Sequence, residues 1–130
     1  MLMLLTLAPF VLLTLMQLLA LVAVRGALQE TTLSLAAAWP SVTVYVAGAA
    51  LCCAALGLAM LLGMRGTVSS QSTVLPLALT VGVAAGALVM LGPLLWGQAA
   101  GEFTLSHHLV RALLVAPTVV LYCWHVSAHR

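Results

Sequence analysis

Four long apolar stretches separated by short polar loops are the feature that most constrains how this sequence can fold. A helix needs roughly 20 predominantly apolar residues to cross the hydrocarbon core of a bilayer. The stretches meet or approach that length, so the sequence predicts an all-α membrane protein, with four transmembrane helices in a bundle and short loops. We expect a single integral-membrane domain over residues 1–130, with spans at about 3–24, 41–64, 74–96 and 109–124.

Charged residues make up only 5% of the chain, and lysine is absent. Soluble domains carry roughly 25% charged residues, so this composition does not supply a water-facing surface, and the lipid bilayer is the expected surrounding. The chain also lacks the basic patch on which nucleic-acid binding depends, so no nucleic-acid partner is expected. The middle of each predicted span holds no Asp, Glu, Lys or Arg. Because proton relays and voltage sensors depend on such groups, an ion-coupled carrier formed by this chain alone is not expected.

The first apolar stretch has the position of a secretory signal peptide but not its pattern. No basic residue precedes it, and it is longer than the apolar core of a signal sequence, which spans roughly 7–15 residues. We therefore expect it to remain a membrane helix. An even number of spans then places both termini on one side of the membrane.

Small residues recur at intervals of four in the second and third predicted spans. Lipid tails are as apolar as the side chains of a helix, so the hydrophobic effect does not drive helices together in a membrane. Helices associate there through close backbone contact, which small residues permit. These stripes have two interpretations: they are packing seams between the helices of one bundle, or one of them docks a partner subunit. The stripe of the second span is Ala49, Cys53 and Gly57, flanked by Gly48, and that of the third is Ala78, Gly82 and Gly86. The predicted helix-packing residues are Gly48, Cys53 and Gly57 in the second span and Ala78, Gly82 and Gly86 in the third.

Pro9, Pro93 and Pro117 each remove a backbone donor within a span or near its end. Such prolines kink helices, and broken helices line the transport sites of some carriers. Membrane helices also tolerate proline without a transport role. A small homo-oligomeric channel or transporter acting on its own is therefore the alternative function, and Pro117 is a candidate conformational hinge.

Gln17 and several threonines are the polar side chains within the predicted spans. In lipid, such groups form hydrogen bonds between neighbouring helices. We therefore expect interhelical bonds, more than ligand contacts, from Gln17, Thr6, Thr14, Thr43, Thr80 and Thr118.

The four histidines fall at the two ends of the fourth span, with His107 and His108 at one end and His125 and His129 at the other. At the rise of an α-helix, the two pairs are roughly 26 Å apart, so they do not share a haem or a metal within one chain. We expect solvated, interfacial histidines, no metal site and no cofactor.

The sequence offers no clear catalytic constellation. The three cysteines form no Cys-x-x-Cys motif, which argues against disulfide exchange. A further alternative, an enzyme acting on lipid, has only the interfacial pair His107 and His108 with Glu102 in its favour. We therefore predict no catalytic residues and a chain that is not catalytic by itself.

The second span opens with the sequence VTVYVAGAA at residues 42–50. It resembles the third helix of the chain J-type membrane subunit of NADH:quinone oxidoreductase, respiratory complex I, where a Tyr-Val-Gly-Ala stretch opens a helix that can carry a π-bulge. In this chain Ala47 is inserted between Val46 and Gly48. The segment GEFTL at residues 101–105 precedes an apolar span and is similar to the entry of the same family's last helix.

The resemblance implies a core membrane-arm subunit of a respiratory electron-transfer and proton-translocating complex. It implies that the second helix changes shape near Tyr45 and Gly48, which are therefore further candidate hinge residues. Such a subunit couples the chemistry of a quinone-linked oxidoreductase to proton movement without binding a cofactor itself. Its implied partners are other membrane subunits of a hetero-oligomeric complex, in the mitochondrial inner membrane or the bacterial inner membrane.

Overall fold

The structure is a computed structural model that describes residues 2–30, 34–65, 73–102 and 104–128. The protein forms four α-helices within these residues. All four helices are long and apolar enough to cross a membrane. The predicted all-α bundle is confirmed, and the chain is an integral, multi-pass membrane protein. The helices are α1 (Leu2–Glu30), α2 (Leu35–Arg65), α3 (Val74–Ala100) and α4 (Leu105–Ala128).

The helices extend beyond the predicted spans at most of their ends. α1 continues past Arg25 and Gly26 to Glu30, and α4 begins at Leu105 rather than near residue 109. Hydropathy marks the part of a helix that lies in the hydrocarbon core, whereas the hydrogen-bonded helix can continue into the headgroup layers on either side of that core. The helices are therefore longer than the predicted spans, and the spans' position in the bilayer stays a prediction.

Ser34 directly precedes α2, which begins at Leu35, so Pro40 lies inside this helix. The Ser34 carbonyl oxygen accepts hydrogen bonds from the backbone N–H groups of Ala37 at 3.0 Å and Ala38 at 3.2 Å. The Ser34 hydroxyl also accepts from the Ala37 N–H at 3.4 Å. Serine is a preferred residue at this position because it satisfies N–H groups that have no partner within the helix.

Gly101 ends α3 with φ 71° and ψ 14°, a left-handed conformation. Glycine adopts it without the Cβ penalty that other residues meet. The backbone N–H groups of Gly101 and Glu102 both donate to the Gly97 carbonyl oxygen, the second at 3.0 Å. This cap turns the chain directly towards α4, and it places Glu102 beside the first turn of that helix.

The helices form a closed ring in which each one packs against its neighbours in the chain. α1 packs on α2, α2 on α3 and α3 on α4, and α4 packs back on α1. This is an up-down-up-down bundle. One end of the bundle carries the α1–α2 and α3–α4 connections. We call it the two-loop end, and it is marked by Glu30, Leu35, Ala100 and Leu105.

The interface between α2 and α3 is the most extensive in the bundle and is built largely from small side chains. The buried residues of α2 recur at alternating intervals of three and four, which is the spacing of left-handed coiled coils. Small residues at these positions let two backbones approach closely in lipid. The alternating series on α2 is Ala38, Ser41, Tyr45, Gly48, Cys52, Ala55, Ala59 and Leu62, with Ala49 buried in addition, and the buried residues of α3 include Ala78, Ala85, Val89 and Gly92.

Most of the threonines bond to their own helix. Thr14, Thr80 and Thr118 each donate to the carbonyl oxygen four residues earlier, at 2.7 to 2.9 Å. Thr43 donates to the Pro40 carbonyl oxygen at 2.8 Å. The expectation of interhelical bonds was therefore wrong for these four, because a threonine hydroxyl reaches the preceding turn without needing a neighbouring helix.

Candidate functional site

Tyr122 of α4 contacts all three other helices. Its side chain is fully buried, and its hydroxyl lies 2.9 Å from the Ala55 carbonyl oxygen on α2 and 3.1 Å from the Ala78 carbonyl oxygen on α3. Its ring packs on Phe10 of α1, with ring centroids 4.4 Å apart and an interplanar angle of 31°. One O–H proton is shared between the two acceptors, so this side chain joins α2 and α3 while its ring packs on α1.

The predicted packing residues of α3 lie against α4. Gly82 faces Tyr122, and a Cβ at Gly82 would overlap the tyrosine ring. A Cβ at Gly86 would lie 2.5 Å from Cγ2 of Val119. Ala78 is buried, and its carbonyl oxygen accepts from Tyr122. These three positions thus bring the α3 backbone close to the large side chains of α4.

Gly48 lies where α1, α2 and α3 meet. A Cβ at this position would be 3.1 Å from Nε2 of Gln17 and 3.4 Å from Cβ of Leu88. A side chain here would therefore push on two neighbouring helices.

Cys53 and Gly57 do not pack within the bundle. Both are exposed, and a Cβ at Gly57 would meet no atom within 4 Å. A step of four residues advances about 40° beyond a full helical turn, so the series that begins at Ala49 rotates away from the interface, and Cys52 is buried instead. We call the exposed series the outer α2 face; its residues are Val46, Ala50, Cys53, Gly57 and Met60.

The candidate hinge residues lie within continuous α-helix. α2 is α-helical through Tyr45 and Gly48, with no π-turn, and α4 is α-helical through Pro117. The Tyr45 ring is buried, and a Cβ at Gly92 of α3 would lie 3.4 Å from it. A hinge role for these residues stays a prediction.

Gln17 places a side-chain amide near the middle of α1, where it is 1% exposed. Its Nε2 donates to the Tyr45 carbonyl oxygen at 3.4 Å, so it does bond to a neighbouring helix, as expected. Its Oε1 has no hydrogen-bond partner in the described part of the chain. This side chain forms a narrow polar contact between α1 and α2.

A polar cavity of about 280 Å³ opens at the two-loop end. α2 contributes Tyr45 and α3 contributes Trp96, while the α3–α4 connection and the first turns of α4 contribute the charged and polar groups. We name this site the polar cavity; its polar and aromatic lining includes Tyr45, Trp96, Glu102, Thr104, His107 and Arg111.

The clustering of these residues is not apparent in the sequence. Tyr45 lies far from Glu102 and Arg111 along the chain, and only the antiparallel packing of α2, α3 and α4 brings the three together. The one feature of the sequence that could have predicted part of this cluster is the short connection between the third and fourth spans, because it keeps Glu102 near Arg111.

An apolar cleft of about 210 Å³ adjoins the polar cavity. It runs along α1 and shares Tyr45 and Trp96 with the polar cavity. We name it the α1 cleft; its remaining lining residues are Ala20, Ala23, Val24 and Ala27.

The histidines occupy two different settings. His107 and His108 line the polar cavity. His125 is 3% exposed, and its Nδ1 lies 2.7 Å from the Thr6 hydroxyl oxygen, so the expectation of a solvated interfacial side chain was wrong for His125. α4 continues past the predicted end of its span, and its last turn packs against α1. His129 lies outside the described residues.

Within the described ranges, no group of three or more His, Cys, Asp or Glu residues is placed to hold a metal ion. Comparison with protein families, with curated proteins and with solved structures finds no match. The arrangement offers polar groups at one end of the bundle and tight packing along its axis. Chemically, it supports helix association and the binding of a polar group near the membrane surface.

Proposed function

We propose that this protein is a non-catalytic membrane subunit of a larger membrane assembly, and that a partner helix docks on the outer α2 face. The observation that carries the proposal is the exposure of Gly57 and Cys53 in the middle of α2. Both belong to a series of mostly small residues with the same alternating spacing as the buried seam on the opposite side of this helix.

The small residues of the outer α2 face are exposed in the described part of the chain. Glycine in a helix interior costs about 1 kcal/mol relative to alanine, and the space around Gly57 is open. In membranes, small residues are enriched where two helix backbones approach closely. A partner helix seated on this face would make use of the space that Gly57 leaves.

The closely packed core along the axis of the bundle argues against transport through a single chain. Phe10 and Tyr122 are fully buried in contact with each other, and Leu62 and Val89 are buried in the same core. A homo-oligomeric channel, the alternative function, would therefore need a path between copies of the chain. The same experiments test both possibilities, since they report whether the partner is another protein or a second copy.

Within this class, we propose the membrane arm of a respiratory NADH:quinone oxidoreductase. The support is the resemblance of residues 42–50 and 101–105 to a core membrane subunit of that complex. The subunit would contribute to electron transport and proton translocation through its partners, in a bacterial or mitochondrial inner membrane.

The first experiment measures native mass after mild detergent extraction from the original membrane, with identification of the co-purifying chains. We expect a stoichiometric hetero-oligomer whose partners identify the complex. The variant Gly57→Leu should release the chain from it, because a leucine would fill the outer α2 face. Gly26→Leu is the matched control, since Gly26 also meets no atom within 4 Å but lies near the end of α1. A small homo-oligomer would contradict the subunit proposal and lead to flux assays.

Cysteine cross-linking tests the docking face directly. In a chain with Cys52 and Cys123 replaced by alanine, Cys53 remains at the centre of the outer α2 face. A bifunctional thiol-reactive reagent applied to membranes should join it to a partner chain of different mass. Cross-linking only to a second copy would support the channel alternative, and equal cross-linking of a control cysteine at exposed position Ala8 would contradict a specific face.

A further inference from the structure

The polar cavity holds one cation and one anion that do not neutralise each other. Arg111 and Glu102 both line it, yet no ion pair within 4.0 Å joins these two described residues. In a chain with so few charges, two opposite charges that line one cavity without pairing with each other indicate a ligand that carries both signs.

The two charges suit the two ends of a zwitterionic phosphate ester. The planar guanidinium of arginine matches the geometry of phosphate oxygens, and a carboxylate accepts hydrogen bonds from a primary ammonium group. Thr104 and His107 add hydrogen-bonding groups to the lining. Water occupies roughly 30 Å³ per molecule in the liquid, so a cavity of about 280 Å³ has space for a small headgroup.

The residues around the polar cavity favour a position at headgroup depth. Tryptophan favours the boundary between membrane and water, and the two tryptophans of this end, Trp39 and Trp96, lie in the first turns of α2 and the last turns of α3. Arg111 lies in the second turn of α4, where a long side chain can keep its charge in the headgroup layer.

The α1 cleft provides a place for an acyl chain. It shares Tyr45 and Trp96 with the polar cavity, and its other residues are alanines and a valine. A ligand with a charged head in the polar cavity would therefore place its apolar chain against α1 without leaving the protein surface.

We propose that the polar cavity and the α1 cleft together bind one phospholipid whose headgroup carries a phosphate and a primary ammonium, as in phosphatidylethanolamine. Arg111 holds the phosphate, Glu102 holds the ammonium, and the α1 cleft holds one acyl chain. The inference does not depend on the proposed subunit role.

Native mass spectrometry of the purified full chain tests the site, using phosphatidylethanolamine and phosphatidylglycerol with the same acyl chains. We expect one tightly retained phosphatidylethanolamine per chain. Since a hydrogen bond to a charged group contributes about 1.5–3 kcal/mol, Arg111→Gln should weaken binding of both lipids at least about tenfold. Glu102→Gln should remove the preference for phosphatidylethanolamine and leave phosphatidylglycerol binding unchanged.

Arg25→Gln and Glu30→Gln are the matched controls. Both residues are exposed at the same end of the bundle and line neither the polar cavity nor the α1 cleft. They should leave lipid retention unchanged; equal effects of the Arg25 and Arg111 variants would overturn the proposal. Helical content is checked by circular dichroism, and if Arg111→Gln does not fold, Arg111→Lys should give a partial loss because it keeps the charge but not the planar geometry.

A second pair of variants separates a lipid from a soluble phosphate ester. Ala23→Leu would narrow the α1 cleft without changing any charge, and Ala8→Leu is its exposed control elsewhere on α1. We expect Ala23→Leu to weaken lipid retention and Ala8→Leu to leave it unchanged. An unaltered Ala23→Leu variant, or displacement of the lipid by free phosphoethanolamine, would assign the cavity to a soluble ester and overturn the lipid proposal.

Discussion

The ring of Tyr122 occupies the space that a side chain at Gly82 would need. The two residues therefore set how closely α3 and α4 approach. The tyrosine hydroxyl also lies 2.9 Å from the Ala55 carbonyl oxygen, so the same side chain ties α4 to α2. The stability of the bundle should be especially sensitive at this point.

Gly82→Ala should destabilise the bundle. The added methyl group would overlap the Tyr122 ring, and forcing extra atoms into a packed interface costs about 1–3 kcal/mol. The free energy of unfolding, measured by detergent titration or by steric trapping in bilayers, should fall by this amount. Combining Gly82→Ala with Tyr122→Ala should give less than the sum of the two single effects, because the clash is then removed.

Gly57→Ala is the matched substitution at a position with open space. It should leave the isolated chain unchanged or stabilise it, because alanine favours a helix by about 1 kcal/mol over glycine. A loss of stability equal to that of Gly82→Ala would mean that the position of Cys53 and Gly57 on the exterior is incorrect.

Tyr122→Phe should lower the free energy of unfolding by about 1 kcal/mol, because it removes one interhelical hydrogen bond while keeping the ring. Both carbonyl acceptors belong to helices, so their backbone partners remain. Trp124→Phe, at an exposed position on the same helix, should have little effect in the same assay. Equal losses in the two variants would argue against the hydrogen bond as the cause.

Gln17→Met should stabilise the isolated chain by about 1 kcal/mol. An unsatisfied buried polar atom costs about 1–3 kcal/mol, and Oε1 of Gln17 has no partner within the described chain. Methionine keeps a similar unbranched shape. The control is Gln98→Met at an exposed position. Destabilisation by Gln17→Met would show that the bond from Nε2 to the Tyr45 carbonyl oxygen contributes more than the unsatisfied oxygen costs.

The two adjacent cysteines should differ in reactivity. Cys53 is exposed, whereas Cys52 is fully buried. In single-cysteine variants in mild detergent, a small uncharged maleimide should label Cys53 faster than Cys52, because labelling of the buried Cys52 requires the bundle to open locally. The two rates should become similar after unfolding; similar rates in the folded protein would contradict the orientation of α2.

Much of the fold could be predicted from the sequence because lipid imposes a simple rule. A chain that lacks water-facing residues and contains four long apolar stretches has to satisfy its backbone within helices. The glycines of α3 were also recognisable as packing residues, because Gly82 and Gly86 are spaced for close approach. The buried face of α2 was not recognisable in the same way. A strict interval of four and the observed alternation of three and four differ by a small rotation about the helix axis, and this rotation decides whether Cys52 or Cys53 is buried.

The sequence by itself determined the helical class, the number of spans and the membrane setting, because these follow from apolar length and scarce charge. The tertiary structure decided which faces meet. It buried Tyr122 among four helices, turned Gly57 outwards, and placed Tyr45 beside Glu102 and Arg111. The physical reason is that most of the surface of these helices is apolar, so shape complementarity between small and large side chains selects the contacts where hydrophobicity does not.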